Sequence, residues 1–184
     1  MKKFLALSTS RNIAILTVIL LFFNLYLFKL FELKHEGKLL QSLDVRFSYS
    51  YAEVFELFEK ISEQGRADYF ILTATVDMIY PIVYGLLLVF LLLAITNVLF
   101  SARKKLLYIA LIPFAIVFFD YMENFNTLLL LGSFPDMHHR AIATGSFFTS
   151  AKWTFATFSL ILLLFEYIVF GFRWFKMKMK LWID

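Results

Sequence analysis

Four long apolar stretches constrain this chain more than anything else in it. They run from about Asn12 to Phe31, Tyr69 to Phe100, Leu106 to Leu131 and Ile142 to Phe172. Crossing about 30 Å of hydrocarbon takes roughly 20 apolar residues in a helix, and each stretch is that long. In lipid every backbone polar group needs an internal partner, so continuous runs of this kind are helices. The second and fourth are long enough to tilt or to project beyond the bilayer. Composition agrees: 61% of the 184 residues are hydrophobic and 17% charged, against about 45–50% and about 25% in a soluble domain. A packed soluble domain cannot hide that excess, and a disordered chain has too little apolar surface to match it. The expected fold is all-α: a polytopic membrane protein, 1–184 forming one membrane domain, built as an antiparallel four-transmembrane-helix bundle.

Charge placement orients the spans. Lys2, Lys3, Arg11, Arg103, Lys104, Lys105, Arg173, Lys176, Lys178 and Lys180 fall on the side of both termini, where Asp184 is the sole acid. On the other side Glu32, Glu36, Asp44, Glu53, Glu56, Glu59, Glu63, Asp68 and Asp136 outnumber the bases. Lys and Arg favour cytoplasmic loops, so both termini are expected in the cytoplasm of a cell or inner membrane. The first stretch reads as a retained anchor, being longer than a signal-peptide core and lacking an A-x-A-like site. The formal charge of +4 follows from this topology and from contact with anionic lipid. No stacking or groove-reading module accompanies it, so the expected partner is the bilayer and nucleic acid is excluded.

The connection from 32 to 68 is long and expected outside the membrane. Ser50-Tyr51-Ala52-Glu53 fits a capping box. Val54, Leu57, Phe58 and Ile61 then recur at i, i+3, i+4 and i+7. An extracytoplasmic amphipathic helix from about Tyr51 to Gln64 is predicted between spans one and two, with Gly65 as its stop. Leu43 to Tyr49 alternates weakly and reads as extended. Ser101 to Lys105 and Gly132 to Arg140 are short turns, which makes consecutive spans antiparallel neighbours.

Polar residues within the spans converge on one depth. At about 1.5 Å per residue, Asn24 lies about 10 Å from the outer end of its span, Asp77 about 12 Å, Lys152 about 15 Å and Asp120 about 16 Å. Asp77, Tyr80 and Tyr84 follow i, i+3, i+7. Asp120, Glu123, Asn124 and Thr127 follow i, i+3, i+4, i+7, and Thr149 sits with Lys152. Residues so spaced share one helix face, and ionisable groups in lipid turn inward because exposure to hydrocarbon is costly. The expectation is a polar chamber in the outer half of the bundle, with Asn24, Asp77, Tyr80, Tyr84, Asp120, Glu123, Asn124, Thr149 and Lys152 as its ligand-binding residues. Three acids face one lysine there, and Lys152 is expected to pair with Asp120 or Glu123. Polar groups of this kind also act simply as glue between helices.

Other features carry less. Pro81 and Pro113 are expected to kink spans two and three. Glu166 is expected to meet cytoplasmic bases, and Trp174 and Trp182 read as interfacial anchors. Asp136-Met137-His138-His139 resembles a metal site, but adjacent histidines do not share a helix face and H-E-x-x-H is absent, so His138 and His139 are weak metal candidates. Cysteine is absent, which removes thiolate metal sites and disulfides. No haem, nucleotide or hydrolase motif occurs, and no cofactor is implied.

The ordered pattern Leu43-Asp44-x-Arg46, Tyr51-x-Glu53, Gly65-Arg66-x-x-Tyr69, Asp77, Pro81, Tyr84, Pro113, Asp120-Tyr121-x-Glu123-Asn124 and Lys152-Trp153 resembles a widespread uncharacterised family of small four-span membrane proteins. That resemblance carries no activity. Three functions remain in view: a chamber that binds a lipid headgroup, small amphiphile or cation; an intramembrane enzyme, isomerase or hydrolase, with Asp77, Asp120, Glu123 and Lys152 as candidate catalytic acids and bases; and an accessory membrane subunit.

Overall fold

The computed structural model describes residues 1–179 together with the backbone as far as Ile183; the side chains of Lys180 and Trp182, and Asp184 as a whole, lie outside the described residues. Helices make up most of the chain, and among the described residues the only strands are a short hairpin, Lys34–His35 with Lys38–Leu39, which turns through Glu36 and Gly37 at positive φ. In order the helices are α1 (Lys2–Leu7), α2 (Ser10–Phe22), α3 (Tyr51–Lys60), α4 (Glu63–Leu99), α5 (Pro113–Ser133) and α6 (His139–Ile183). A π-helical turn (Phe23–Leu27) and a 3₁₀ turn (Phe28–Phe31) extend α2, and a 3₁₀ segment (Lys104–Leu111) leads into α5. Among the described residues four helical segments are long and apolar enough to cross a membrane: Ser10–Phe31, Glu63–Leu99, Lys104–Ser133 and His139–Met179.

The four segments do not share the interior equally. Of the apolar stretch of the first, 6% is buried, against 56% in α4. Helix α4 packs on α2, α5 and α6, and α5 packs on α6. The most buried segments are therefore α4 and the one ending in α5, at 56% and 33%, while α2 on α4 and α6 on α5 and α4 are both largely exposed, at 6% and 11%. Gly85 permits the close approach of α4 and α5, because a Cβ there would run into Val117 Cγ2. Two apolar clusters close the ends. At the end bearing the long connection, Leu43, Val54, Phe58, Ile61, Tyr69, Leu130 and Ile142 are packed together. At the end bearing the N-terminus, Val89, Phe90, Leu92, Leu93, Leu107 and Ala110 pack, with Phe4 and Leu5 of α1 against them.

Helix α3 caps the first of these ends. Ser50 Oγ accepts from the Glu53 backbone N–H while Glu53 Oε2 accepts from the Ser50 N–H at 2.7 Å. This reciprocal pair satisfies two otherwise free donors at the start of the helix. The Ser50 contacts hold the exposed Glu53 carboxyl below its usual range, and Lys60 does the same for Glu56. Val54, Leu57 and Phe58 are buried and Glu53, Glu56, Glu59 and Lys60 are exposed. Burial of each such apolar side chain contributes about 1.5–3 kcal/mol.

Two local expectations are corrected. Gly65 is no stop: α3 ends at Lys60, Ser62 caps α4, and Gly65 N–H donates to Ser62 Oγ at 3.1 Å inside the first turn of the next helix. A Ser three residues ahead can nucleate a helix as readily as a Gly can end one. Helix α4 accordingly begins at Glu63, ahead of the apolar stretch that starts near Tyr69. Pro113 lies at the start of α5, where its missing N–H costs nothing, rather than within a helix; Pro81 does lie inside α4.

Candidate functional site

Between the two apolar ends lies a polar layer built by α4, α5 and α6. Its centre is Lys152, 7% exposed, on α6. The ammonium pairs with Glu123 Oε2, lies 3.4 Å from Asp120 Oδ1, and donates to the Asp44 carbonyl at 3.1 Å. Asp120 and Glu123 stand one turn apart on α5, so a single lysine on the facing helix reaches both. Glu123 is fully buried, and its other oxygen accepts from Thr149 Oγ1 at 2.7 Å. Asp120 Oδ2 accepts from the Tyr84 hydroxyl of α4 at 2.6 Å. A charged hydrogen bond is stronger than a neutral one, and a buried ion pair holds only when its remaining lone pairs are matched. Here they are matched by a tyrosine on one side and a threonine on the other.

Of the expected chamber residues, Tyr84, Asp120, Glu123, Thr149 and Lys152 are joined in this network. Asn24 and Tyr80 stand beside it: the Asn24 amide donates to Tyr80 Oη at 3.1 Å and to the Leu20 carbonyl at 2.8 Å. Tyr80 meets Tyr84 edge to face at 5.3 Å between ring centres, which carries the line of contacts from α2 towards Asp120. Asn124 donates to the Asp77 backbone carbonyl at 2.8 Å, not to the carboxylate. The half-buried Asp77 carboxylate has neither an ion pair nor a hydrogen bond among the described residues. The layer thus holds three carboxylates and one ammonium, with the ammonium committed to two of them.

The connection 43–49 is the part of the site that helix periodicity did not reveal. It lies along α6 as a strap fastened through its backbone. The Asp44 carbonyl accepts from both Lys152 and the Trp153 indole N–H, the latter at 3.0 Å. The Phe47 carbonyl accepts from Ser150 at 2.8 Å, and the Tyr49 N–H donates to Ser146 at 2.9 Å. Leu43, fully buried, donates its N–H to the Tyr69 hydroxyl at 3.0 Å. Burial pushes the Tyr49 hydroxyl up to about 12. A Cβ at residue 145 would collide with that hydroxyl and with Asn126 Oδ1, so Gly145 lets the strap approach α6. The spacing of Ser146, Ser150 and Trp153 on one α6 face was the available signal.

Two remaining expectations resolve as follows. The His139 ring stacks on Tyr51 at 4.1 Å, His138 is exposed, and among the described residues no three His, Asp or Glu side chains are placed to hold a metal ion. Among the described residues Glu166 meets no base: both its oxygens lie 2.9 Å from the Thr96 hydroxyl of α4, while Arg173 donates instead to the Leu99 carbonyl at 2.7 Å. Arg173 lies seven residues beyond Glu166, too far along the helix to turn back to it. No protein family, no curated protein and no solved structure matches this chain.

Proposed function

We propose that this chain is an integral membrane protein whose polar layer takes up the ammonium group of a membrane-borne amphiphile, with Asp77 as the receiving carboxylate. One observation carries the reading: Lys152 is taken by Asp120 and Glu123, and Asp77 stands in the same layer uncompensated. An ionisable group held inside a membrane bundle is costly to keep and marks a binding or transport role. Asp120, Glu123 and Lys152 act as the fixed frame, Tyr84 and Thr149 hold its geometry, and the strap 43–49 covers it. The amphipathic burial of α3 supports its place as an outer cap over the bundle. The excess of Lys and Arg on the side of both termini supports a cytoplasmic location for them.

Native mass spectrometry of the gently solubilised protein tests the binding. Wild type is expected to carry a discrete small cationic adduct that is lost in the isosteric Asp77→Asn variant while the fold persists. Absence of any adduct from wild type, with a second protein co-purifying, would replace this reading with that of an accessory subunit. Topology is tested separately, since the chain has no cysteine to remove. Glu36→Cys is expected to react with an impermeant thiol reagent in intact cells, and Ser101→Cys only after lysis. The reverse pattern would invert the membrane orientation.

A further inference from the structure

A groove of about 450 Å³ lies outside the polar layer, between the first turns of α4 and the end of α5. Its α4 wall carries Glu63, Arg66, Phe70 and Ile71, and Leu131 and Phe134 close the other side. Glu63, Arg66 and Phe70 are spaced three and four apart, and Ile71 follows Ala67 by four, so the wall is charged at the start of the helix and apolar one turn deeper. Phe70 and Ile71 are 42% and 48% exposed, which in a span means contact with lipid.

Arg66 is anchored and still has capacity. Its Nη1 donates to the Phe58 and Ile61 carbonyls at 2.7 and 2.9 Å, and its guanidinium carbon lies 4.7 Å from the centre of the Phe134 ring. Among the described residues its Nη2 and Nε have no protein partner. Glu63, on the neighbouring turn, has no ion-pair partner either, not even Arg66. Two opposite charges thus stand about one helical turn apart, about 5 Å along the axis, each with free valence.

We propose that this groove holds one zwitterionic phospholipid of the surrounding bilayer, its phosphate on Arg66, its ammonium on Glu63 and an acyl chain along Phe70 and Ile71. The order along α4 matches the order along the lipid. Chain, phosphate and ammonium follow one another outward from the hydrocarbon, as do Ile71 and Phe70, Arg66 and Glu63. A guanidinium with one edge fixed offers its other edge to phosphate without further ordering cost. The carboxylate beside it disfavours lipids whose headgroup bears only negative charge.

The test is a native mass spectrometry titration in maltoside micelles with dioleoylphosphatidylethanolamine and, in parallel, dioleoylphosphatidylglycerol. Wild type is expected to bind one molecule of the ethanolamine lipid about tenfold more tightly than the glycerol lipid, the ratio that one charge-assisted hydrogen bond provides. Glu63→Gln is expected to bring the two lipids to parity. Ile71→Trp, which fills the groove, is expected to weaken both. Asp77→Asn is expected to leave the preference intact. A wild type without preference, a preference that survives Glu63→Gln, or an affinity for both lipids unchanged in Ile71→Trp, overturns the inference. If the preference instead vanishes in Asp77→Asn, the ammonium sits in the polar layer, and this inference fails while the proposed function stands.

Discussion

Among its described residues helix α6 carries two buried ionisable side chains, Lys152 and Glu166, and they are treated in opposite ways. They lie about 21 Å apart along the axis, on the same face at a fourteen-residue interval. Lys152 has two carboxylates and a backbone carbonyl around it and lies over the Trp153 ring, 5.8 Å from its centre. Glu166 has one hydroxyl, that of Thr96, shared between its two oxygens. The first place is a network whose members depend on one another, drawn from α4, α5, α6 and the strap. The second is a single contact between α4 and α6. Burial alone therefore says little about what a polar group contributes; the number of partners that lose their match when it is removed says more.

That contrast can be broken most directly at Lys152. Lys152→Met leaves Asp120 and Glu123 buried without their cation, and the expected loss is about 3–5 kcal/mol, the usual cost of removing one partner of a buried pair. Reversible unfolding of the solubilised protein measures it. Adding Glu123→Gln to that variant is expected to recover part of the loss, and a double variant less stable than the single one would show that the two do not form one unit.

Next in size is Tyr84→Phe. It removes the donor to Asp120 Oδ2, and the expected cost is about 1.5–3 kcal/mol, the range for hydrogen bonds to a charged group. The same unfolding assay reads it. An unchanged midpoint would remove α4 from the network and leave a contact between α5 and α6 alone.

At the cap, Ser50→Ala is expected to cost about 1 kcal/mol as a lost N-cap. Glu53 adds a pH dependence of known sign. Its folded carboxyl sits below the ordinary value of 4.5, so its stabilising effect on α3 is complete above that value and disappears as pH falls through the lower one. The protection of residues 51–60, taken as amide exchange relative to the intrinsic rate at each pH, is expected to fall in wild type as pH drops through that range, with a smaller fall in Ser50→Ala. Equal changes in both would separate Glu53 from the cap.

The smallest effect is expected at the other end of the comparison. Glu166→Gln keeps an oxygen to accept from Thr96 and takes no ion pair with it, so the cost should stay below about 1 kcal/mol. A loss as large as that of Lys152→Met would show that Glu166 anchors a network of its own.

Much of this molecule can be read along the chain. Four spans follow from uninterrupted apolar length, because lipid leaves a helix no other way to match its backbone. The shared face of Asp120, Glu123 and Asn124 follows from spacing, and so does the cap at Ser50-x-x-Glu53. Pairing is a different matter. Whether Lys152 would take Asp120, Glu123 or both was open in the sequence, and so was the distance of Asn24 from them, since spacing gives a face and not the rotation of one helix against another. The reading of Gly65 failed because a helix stop and the first turn after a Ser cap look alike locally. Periodicity was silent on the strap, whose contacts run through backbone carbonyls and N–H groups that every residue possesses.

The sequence by itself determined that the chain is helical, that four of its segments are long and apolar enough to cross a membrane, and which ionisable residues share a helix face, because each depends on local composition and on a fixed rise per residue. The tertiary structure alone decided that α2 packs against α4, that Lys152 serves two carboxylates and a strap carbonyl, and that the Asp77 carboxylate has no partner among the described residues. Those are distances between segments far apart in the chain. They are set by how helices rotate and approach where Gly85 and Gly145 remove a side chain, and no single segment contains that information.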